Sequence, residues 1–123
     1  MTRVLVLGYG NPLRGDDGLG WHAARILAET EAREGVEVLA CRQLTPELSE
    51  PVSRAERVIF IDVSAEDPPG QLRCRPLTSA ETTGGGAFTH DLTPAALLQC
   101  AEVLYGSTAT GLLISVGAET LQI

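Results

Sequence analysis

The segment that decides the fold spans residues 58–63 and reads Val-Ile-Phe-Ile-Asp-Val. Apolar residues at successive positions indicate a strand that is buried on both faces, as in the centre of a parallel sheet. Asp62 interrupts this apolar run near its end. Because an isolated buried carboxylate is costly, we expect Asp62 to lie at the open end of the strand, to be paired, or to accept amides from a neighbouring loop.

Strands and helices alternate on both sides of this segment. Further strands are predicted over residues 3–7, 36–41, 71–75 (an edge strand) and 112–116, and helices over residues 17–34, 46–55 and 94–105. Such alternation favours an α/β domain with a mainly parallel sheet and helices on both faces. The spacing of Leu19, Ala23, Ile26 and Leu27 predicts that these four residues form the buried face of the first helix.

Composition excludes several classes of function. The chain has 123 residues and a formal net charge of −7, with 44% hydrophobic and 20% charged residues, which is typical of one ordinary globular domain. The acid excess argues against a nucleic-acid or anionic-membrane partner. All nine basic residues are arginine, so Schiff-base chemistry and a phosphate-loop lysine are excluded.

The cysteines and the start of the chain favour a cytoplasmic protein. There is no apolar run of the ~20 residues that a membrane span needs. Residues 1–8 lack the longer apolar region and the cleavage site of a signal peptide, so we expect none. Cys41, Cys74 and Cys100 form no CxxC motif, and each lies in or beside an apolar run, so we expect buried small hydrophobic side chains. An odd, widely spaced set of this kind is consistent with a reducing compartment.

Candidate site residues follow the predicted strands, because ligands of an open parallel sheet bind beyond the carboxyl ends of its strands. The loop of residues 8–18, Asp62, and His90 before the third helix are three such candidates. The loop glycines do not have the GxGxxG spacing of a dinucleotide site. Asp16 or Asp17 is also compatible with a helix cap, and His90 with an ordinary loop residue. His22 is expected to be a helix side chain without a function.

Asp17, Asp62 and His90 together offer two carboxylates and one imidazole. This donor set suits a borderline divalent metal such as nickel, zinc or manganese. The absence of thiolates argues against a structural zinc site, and three protein ligands would leave a coordination position open for water or substrate.

The sequence resembles that of the [NiFe] hydrogenase maturation endopeptidases. The resemblance begins at residues 5–20, Leu-Val-Leu-Gly-Tyr-Gly-Asn-Pro-Leu-Arg-Gly-Asp-Asp-Gly-Leu-Gly, and covers essentially the whole chain. It continues through residues 43–48, 58–63, 89–92 and 111–119. It implies a three-layer α/β sandwich around a twisted, mainly parallel sheet of about five strands.

The resemblance also implies an activity. These enzymes remove a short C-terminal peptide from the precursor of the hydrogenase large subunit after nickel insertion. The two acids and the histidine with which they contact that nickel correspond to Asp17, Asp62 and His90, which are therefore the expected catalytic and metal-contacting residues. The nickel is expected to be supplied by the substrate, and the same ligands are compatible with other divalent metals as substitutes. The expected substrate-binding residues are Gly10, Asn11, Asp16, Gln43 and Thr45.

Relatives in this family continue beyond the last strand into a further loop and helix. We therefore expect residues 1–123 to be a single peptidase domain that lacks those elements, and to be a monomer, or a dimer through an uncovered face. Three alternatives remain open at this point. They are a non-catalytic nickel-binding chaperone or checkpoint protein of hydrogenase assembly, a related peptidase with another substrate, and a peptidase with Cys41 as its nucleophile.

Overall fold

The computed structural model describes residues 2–10, 18–30, 33–64, 68, 70–81 and 92–117. Its five strands are β1 (Val4–Tyr9), β2 (Val36–Cys41), β3 (Arg57–Ser64), β4 (Leu72–Leu77) and β5 (Thr110–Gly117). Its α-helices are α1 (Leu19–Thr30), α2 (Ser49–Ser53) and α3 (Pro94–Tyr105), and short 3₁₀ turns cover Pro46–Leu48 and Ser79–Glu81.

The five strands form one sheet in the order β2-β1-β3-β5-β4. All neighbouring strands are parallel except β4, which pairs with β5 in the antiparallel sense at the edge. The run of residues 58–63 therefore lies in the central strand, as its apolar character predicts. The α/β class with a mainly parallel five-stranded sheet is confirmed.

One face of the sheet is covered by α1, which approaches through small residues. Gly8 of β1 lies so close to the helix that a Cβ atom added to it would fall 2.6 Å from the Cβ of Ala24 and even nearer to the carbonyl oxygen of Gly20. Gly20 and Ala24 are buried, whereas Ile26 is 58% exposed. The prediction that Ile26 is part of the buried face is wrong, because the close contact with Gly8 turns the small-residue side of the helix toward the sheet.

The opposite face carries the main hydrophobic core. Leu5 and Leu7 of β1 and Phe60 of β3 pack there in one cluster with residues of α3 such as Leu97 and Cys100. Burial of large apolar side chains of this kind contributes about 1.5–3 kcal/mol each relative to exposure. Helices therefore lie on both faces of the sheet, as predicted.

The ends of α3 show why its bounds were predictable from the sequence. The Thr93 hydroxyl accepts a hydrogen bond from the amide of Ala96 at 3.1 Å, and Pro94 occupies the first turn. Gly106 ends the helix with a left-handed conformation at φ 67°, which glycine adopts without a steric penalty.

Three further predictions need correction. The first helix does not extend to Glu34, which lies in a turn before β2. The predicted helix of residues 46–55 is divided into a 3₁₀ turn and the short α2. Cys74 is exposed, because it lies on the edge strand β4, most of whose residues are exposed on both faces.

Among the residues that the structure describes, no helix combines the length and apolar character of a transmembrane span.

Candidate functional site

Five side chains form a row across the carboxyl edge of the sheet, on the face that α3 covers. The strand registers pair Tyr9 with Cys41, Gly8 with Ile61, Asp62 with Ser115, and Ser115 with Arg73. Paired residues of neighbouring strands lie on the same face of a sheet, and every second residue along a strand returns to that face. The five paired residues therefore lie side by side on one face. We call this set, which consists of Cys41, Tyr9, Asp62, Ser115 and Arg73, the carboxyl-edge row.

Asp62 lies near the middle of the carboxyl-edge row and is partly buried. It precedes the last two residues of β3 and is level with the last residue of β1. The backbone amide of Val63 donates a hydrogen bond of 2.7 Å to its Oδ1 atom. Asp62 therefore occupies the open end of the strand, one of the positions expected for it, with one carboxylate oxygen held by the backbone.

The hydroxyl group of Tyr9 is buried beside Asp62. Burial has the largest effect on this phenol and raises its pKa, and the charge and hydrogen-bonding capacity of the Asp62 carboxylate raise it further. The hydroxyl nevertheless has no partner that meets full hydrogen-bond geometry. The effect of Asp62 on the pKa and the missing hydrogen bond agree if the carboxylate is near the hydroxyl but poorly aligned with it. With its raised pKa, the phenol is a neutral donor beside an acid.

Tyr9 is not among the sequence-predicted site residues, although the sequence contains a signal for its position. Alternation along β1 places Tyr9 on the same face as Leu5 and Leu7, at the end of the strand. The glycines on both sides of residue 9 conceal this signal, because they favour a loop that begins at residue 8.

Cys41 stands next to Tyr9 in the carboxyl-edge row and is half-buried. Burial raises the pKa of its thiol. Because the thiolate is the reactive form of cysteine, this environment disfavours Cys41 as a nucleophile. Its carbonyl oxygen instead accepts a hydrogen bond from the amide of Gly10 at 3.1 Å, which holds the end of β1 to the end of β2.

The other described candidates also lie beyond the carboxyl ends of strands. Gly10 follows β1 directly and has a φ of 145°, a conformation that side-chain-bearing residues rarely adopt. Gln43 and Thr45 follow β2, the first exposed and the second half-buried, and buried Leu44 between them anchors this segment in the core. These positions are compatible with a cleft along this edge.

Asn11, Asp16, Asp17 and His90 lie outside the described residues, so their geometry stays a prediction. Their nearest described neighbours in the sequence lead to the same edge. A Cβ atom added to Gly20, near the start of α1, would fall 2.5 Å from the carbonyl oxygen of Tyr9 and 2.6 Å from that of Ile61. The start of α1 is thus packed against the strand ends that carry Tyr9 and Asp62.

The helix α3 also begins toward this edge. Only residues 106–109 separate its end from β5, and the first residue of β5 lies at the amino edge, where the amide of Thr110 donates to the carbonyl of Glu56. The beginning of α3, which His90 precedes in the sequence, must therefore lie toward the carboxyl edge. Among the described residues alone, no group of three His, Cys, Asp or Glu side chains is arranged to hold a metal ion.

A cavity of about 380 Å³ lies at the opposite, amino edge of the sheet. Its lining includes Arg3 and Glu56, which form an exposed ion pair at 2.9 Å, together with Gly35 and Thr110. It contains none of the predicted site residues.

Solved structures of hydrogenase maturation proteases are similar to this chain. The [NiFe] hydrogenase maturation protease HycI of Thermococcus kodakarensis matches with a TM-score of 0.79 and 22% identity, over 99% of this chain and 78% of its own. HybD from the same organism matches with a TM-score of 0.69 and 26% identity, over 99% and 84%. The hydrogenase maturating endopeptidase HybD of E. coli matches with a TM-score of 0.72 and 25% identity, over 98% and 77%. Scans with protein-family models and against curated proteins find no match.

Proposed function

We propose a substrate and a site for this chain from the premise that it is a hydrogenase maturation protease, as its structural neighbours of 25–26% identity indicate. The proposed substrate is the precursor of a [NiFe] hydrogenase large subunit that has received its nickel. The proposed reaction is hydrolysis of one peptide bond, which releases the C-terminal peptide of that precursor.

The position of Asp62 is the observation that carries this proposal. Its carboxylate lies at the carboxyl edge of the sheet, where ligands of open α/β sheets bind, and is held there by the amide of Val63. In the proposed site Asp62 contacts the nickel of the substrate together with Asp17 and His90. These three side chains would hold the nickel of the substrate, which would orient the tail of the precursor and supply Lewis-acid polarisation of the scissile carbonyl or of a water molecule.

The substrate backbone is proposed to follow the same edge. The residues proposed to line the cleft are Gly10, Asn11, Asp16, Gln43 and Thr45. Of these, Gly10 directly follows β1, and Gln43 and Thr45 lie in the connection after β2. The absence of a side chain at Gly10 leaves room for close approach of an extended peptide. A cytoplasmic location, which the cysteine content favours, agrees with this substrate.

The test compares nickel-loaded with nickel-free precursor and measures the mass of the large subunit after incubation. We expect the loaded precursor to lose its C-terminal peptide and the free precursor to remain intact. Equal cleavage of both would contradict the recognition of nickel. Binding of the loaded precursor without any cleavage would instead support the non-catalytic chaperone.

A variant pair tests the role of Asp62. We expect Asp62→Asn to lower the rate of cleavage by about 100-fold or more, because a lost metal contact removes several kcal/mol of transition-state stabilisation. Glu102→Gln, which neutralises an exposed acid on α3, is the matched control and should cleave at the normal rate. Normal cleavage by Asp62→Asn would remove Asp62 from the site.

A further inference from the structure

The hydroxyl group of Tyr9 is a buried donor without a well-aligned partner. A buried hydroxyl in this state loses its hydrogen bonds to water without replacing them, which disfavours the folded protein. The ring of Tyr9 packs against the same core cluster as Leu5 and Leu7, and a phenylalanine ring would make those contacts without burying a donor. Packing therefore explains the ring of Tyr9 but not its hydroxyl.

The Asp62 carboxylate is the acceptor that the sheet register brings to this hydroxyl. Gly8 pairs with Ile61, so the next residues along these parallel strands, Tyr9 and Asp62, are level with each other on the α3 side. The effect of Asp62 on the phenol acts through both charge and hydrogen bonding. An ionised carboxylate has about four lone-pair sites, and the amide of Val63 uses one of them at 2.7 Å.

We propose that Tyr9 is a positioning residue that donates its hydroxyl hydrogen bond to the Asp62 carboxylate and fixes the direction in which that carboxylate faces the substrate. The inference rests on the proposed function, in which Asp62 contacts the substrate nickel. The Val63 amide holds one oxygen from the backbone side, and the phenol adds a contact from the neighbouring strand. Two donors from different directions restrict rotation of the carboxylate, and a donor to a metal-contacting carboxylate orients it.

The strength of this contact follows from the charge on its acceptor. Hydrogen bonds from a hydroxyl to a carboxylate are about 2.5–2.7 Å long and roughly twice as strong as those between neutral groups. No proton needs to be transferred, because the phenol acts only as a donor.

The first test is kinetic and uses two matched variants. Tyr9→Phe removes the hydroxyl and keeps the ring, and Tyr105→Phe makes the same change at a residue of α3 that is 54% exposed. With nickel-loaded precursor, we expect Tyr9→Phe to lower kcat about 10- to 100-fold, with little change in KM and no loss of melting temperature. Tyr105→Phe should match the unmodified protein. Unchanged kcat in Tyr9→Phe would overturn the inference, as would a loss that appears only in the melting temperature.

The second test does not depend on activity. A high-resolution crystal structure of the unmodified protein should place the Tyr9 Oη atom about 2.5–2.7 Å from an Asp62 oxygen. A separation beyond about 3.5 Å would overturn the inference, even if the protein cleaves its substrate. If no precursor is cleaved and the short distance is present, the proposed function fails and the Tyr9–Asp62 contact stands. If cleavage requires Asp62 but not the Tyr9 hydroxyl, the proposed function stands and the inference fails.

Discussion

Asp62 and Cys41 belong to the same carboxyl-edge row, but their surroundings act differently on the two side chains. Asp62 has an oxygen held by the amide of Val63 at 2.7 Å, an arrangement that fixes a charged group in place. Cys41 is half-buried beside Tyr9, and burial raises the pKa of its thiol. Proximity to the site therefore does not make Cys41 a nucleophile.

We expect Cys41→Ala to retain cleavage of nickel-loaded precursor within about threefold of the normal rate. A thiol with a raised pKa has little of the reactive thiolate form at pH 7. Since the pKa is raised, the thiolate fraction should grow only at more alkaline pH than for an ordinary cysteine. The rate of alkylation by iodoacetamide, followed by mass spectrometry, should accordingly be slower at Cys41 than at exposed Cys74. Loss of cleavage in a folded Cys41→Ala protein, with Cys74→Ala active, would restore the nucleophile hypothesis.

The sequence could identify Asp62 but not the role of Tyr9. An acid within the apolar run of residues 58–63 is conspicuous without a structure, because a buried charge needs an explanation. The importance of Tyr9 depends on the register between β1 and β3, which pairs Gly8 with Ile61. No local pattern in either strand contains that register.

At the scale of elements, the pairing of α1 with β1 depends on residues that a hydrophobic pattern ignores. Periodicity selects large apolar residues such as Ile26, and the structure places Ile26 at 58% exposure. The distance between α1 and β1 is set instead by three small residues, whose size lets the two backbones come close. These are Gly8, Gly20 and Ala24. The predicted bounds of α3 were more accurate, since its cap at Thr93 and its stop at Gly106 are local signals.

We expect Gly8→Ala to destabilise the protein by about 1–3 kcal/mol, since the added methyl group overpacks the contact with Gly20 and Ala24. Ile26→Ala should change the free energy of unfolding much less, because the side chain is mostly exposed. Urea unfolding followed by circular dichroism measures both values. A large loss of stability in Ile26→Ala with a normal Gly8→Ala protein would show that the sequence-predicted face is the buried one.

At the scale of the whole molecule, the two edges of the sheet carry different features. The amino edge has a cavity of about 380 Å³ beside the exposed ion pair of Arg3 and Glu56. The carboxyl edge has the row that contains Asp62, with Gly10, Gln43 and Thr45 in the connections that follow β1 and β2. Parallel strands direct their carboxyl ends to one edge, and that topology, more than the size of a cavity, is the reason why we propose that substrate binds there.

Paired substitutions at the two edges test whether the substrate binds at the carboxyl edge. We expect Arg3→Gln and Glu56→Gln to leave precursor cleavage within about twofold of normal, since an exposed ion pair contributes little and lies at the amino edge. Gln43→Ala and Thr45→Ala should instead raise KM for the nickel-loaded precursor with less effect on kcat, because uniform binding contacts act in that way. Steady-state cleavage measured by mass spectrometry gives both constants. Loss of activity in the amino-edge variants, with normal Gln43→Ala and Thr45→Ala proteins, would mean that the substrate binds at the cavity. Asp62 would then lie at the opposite edge of the sheet, out of reach of the substrate.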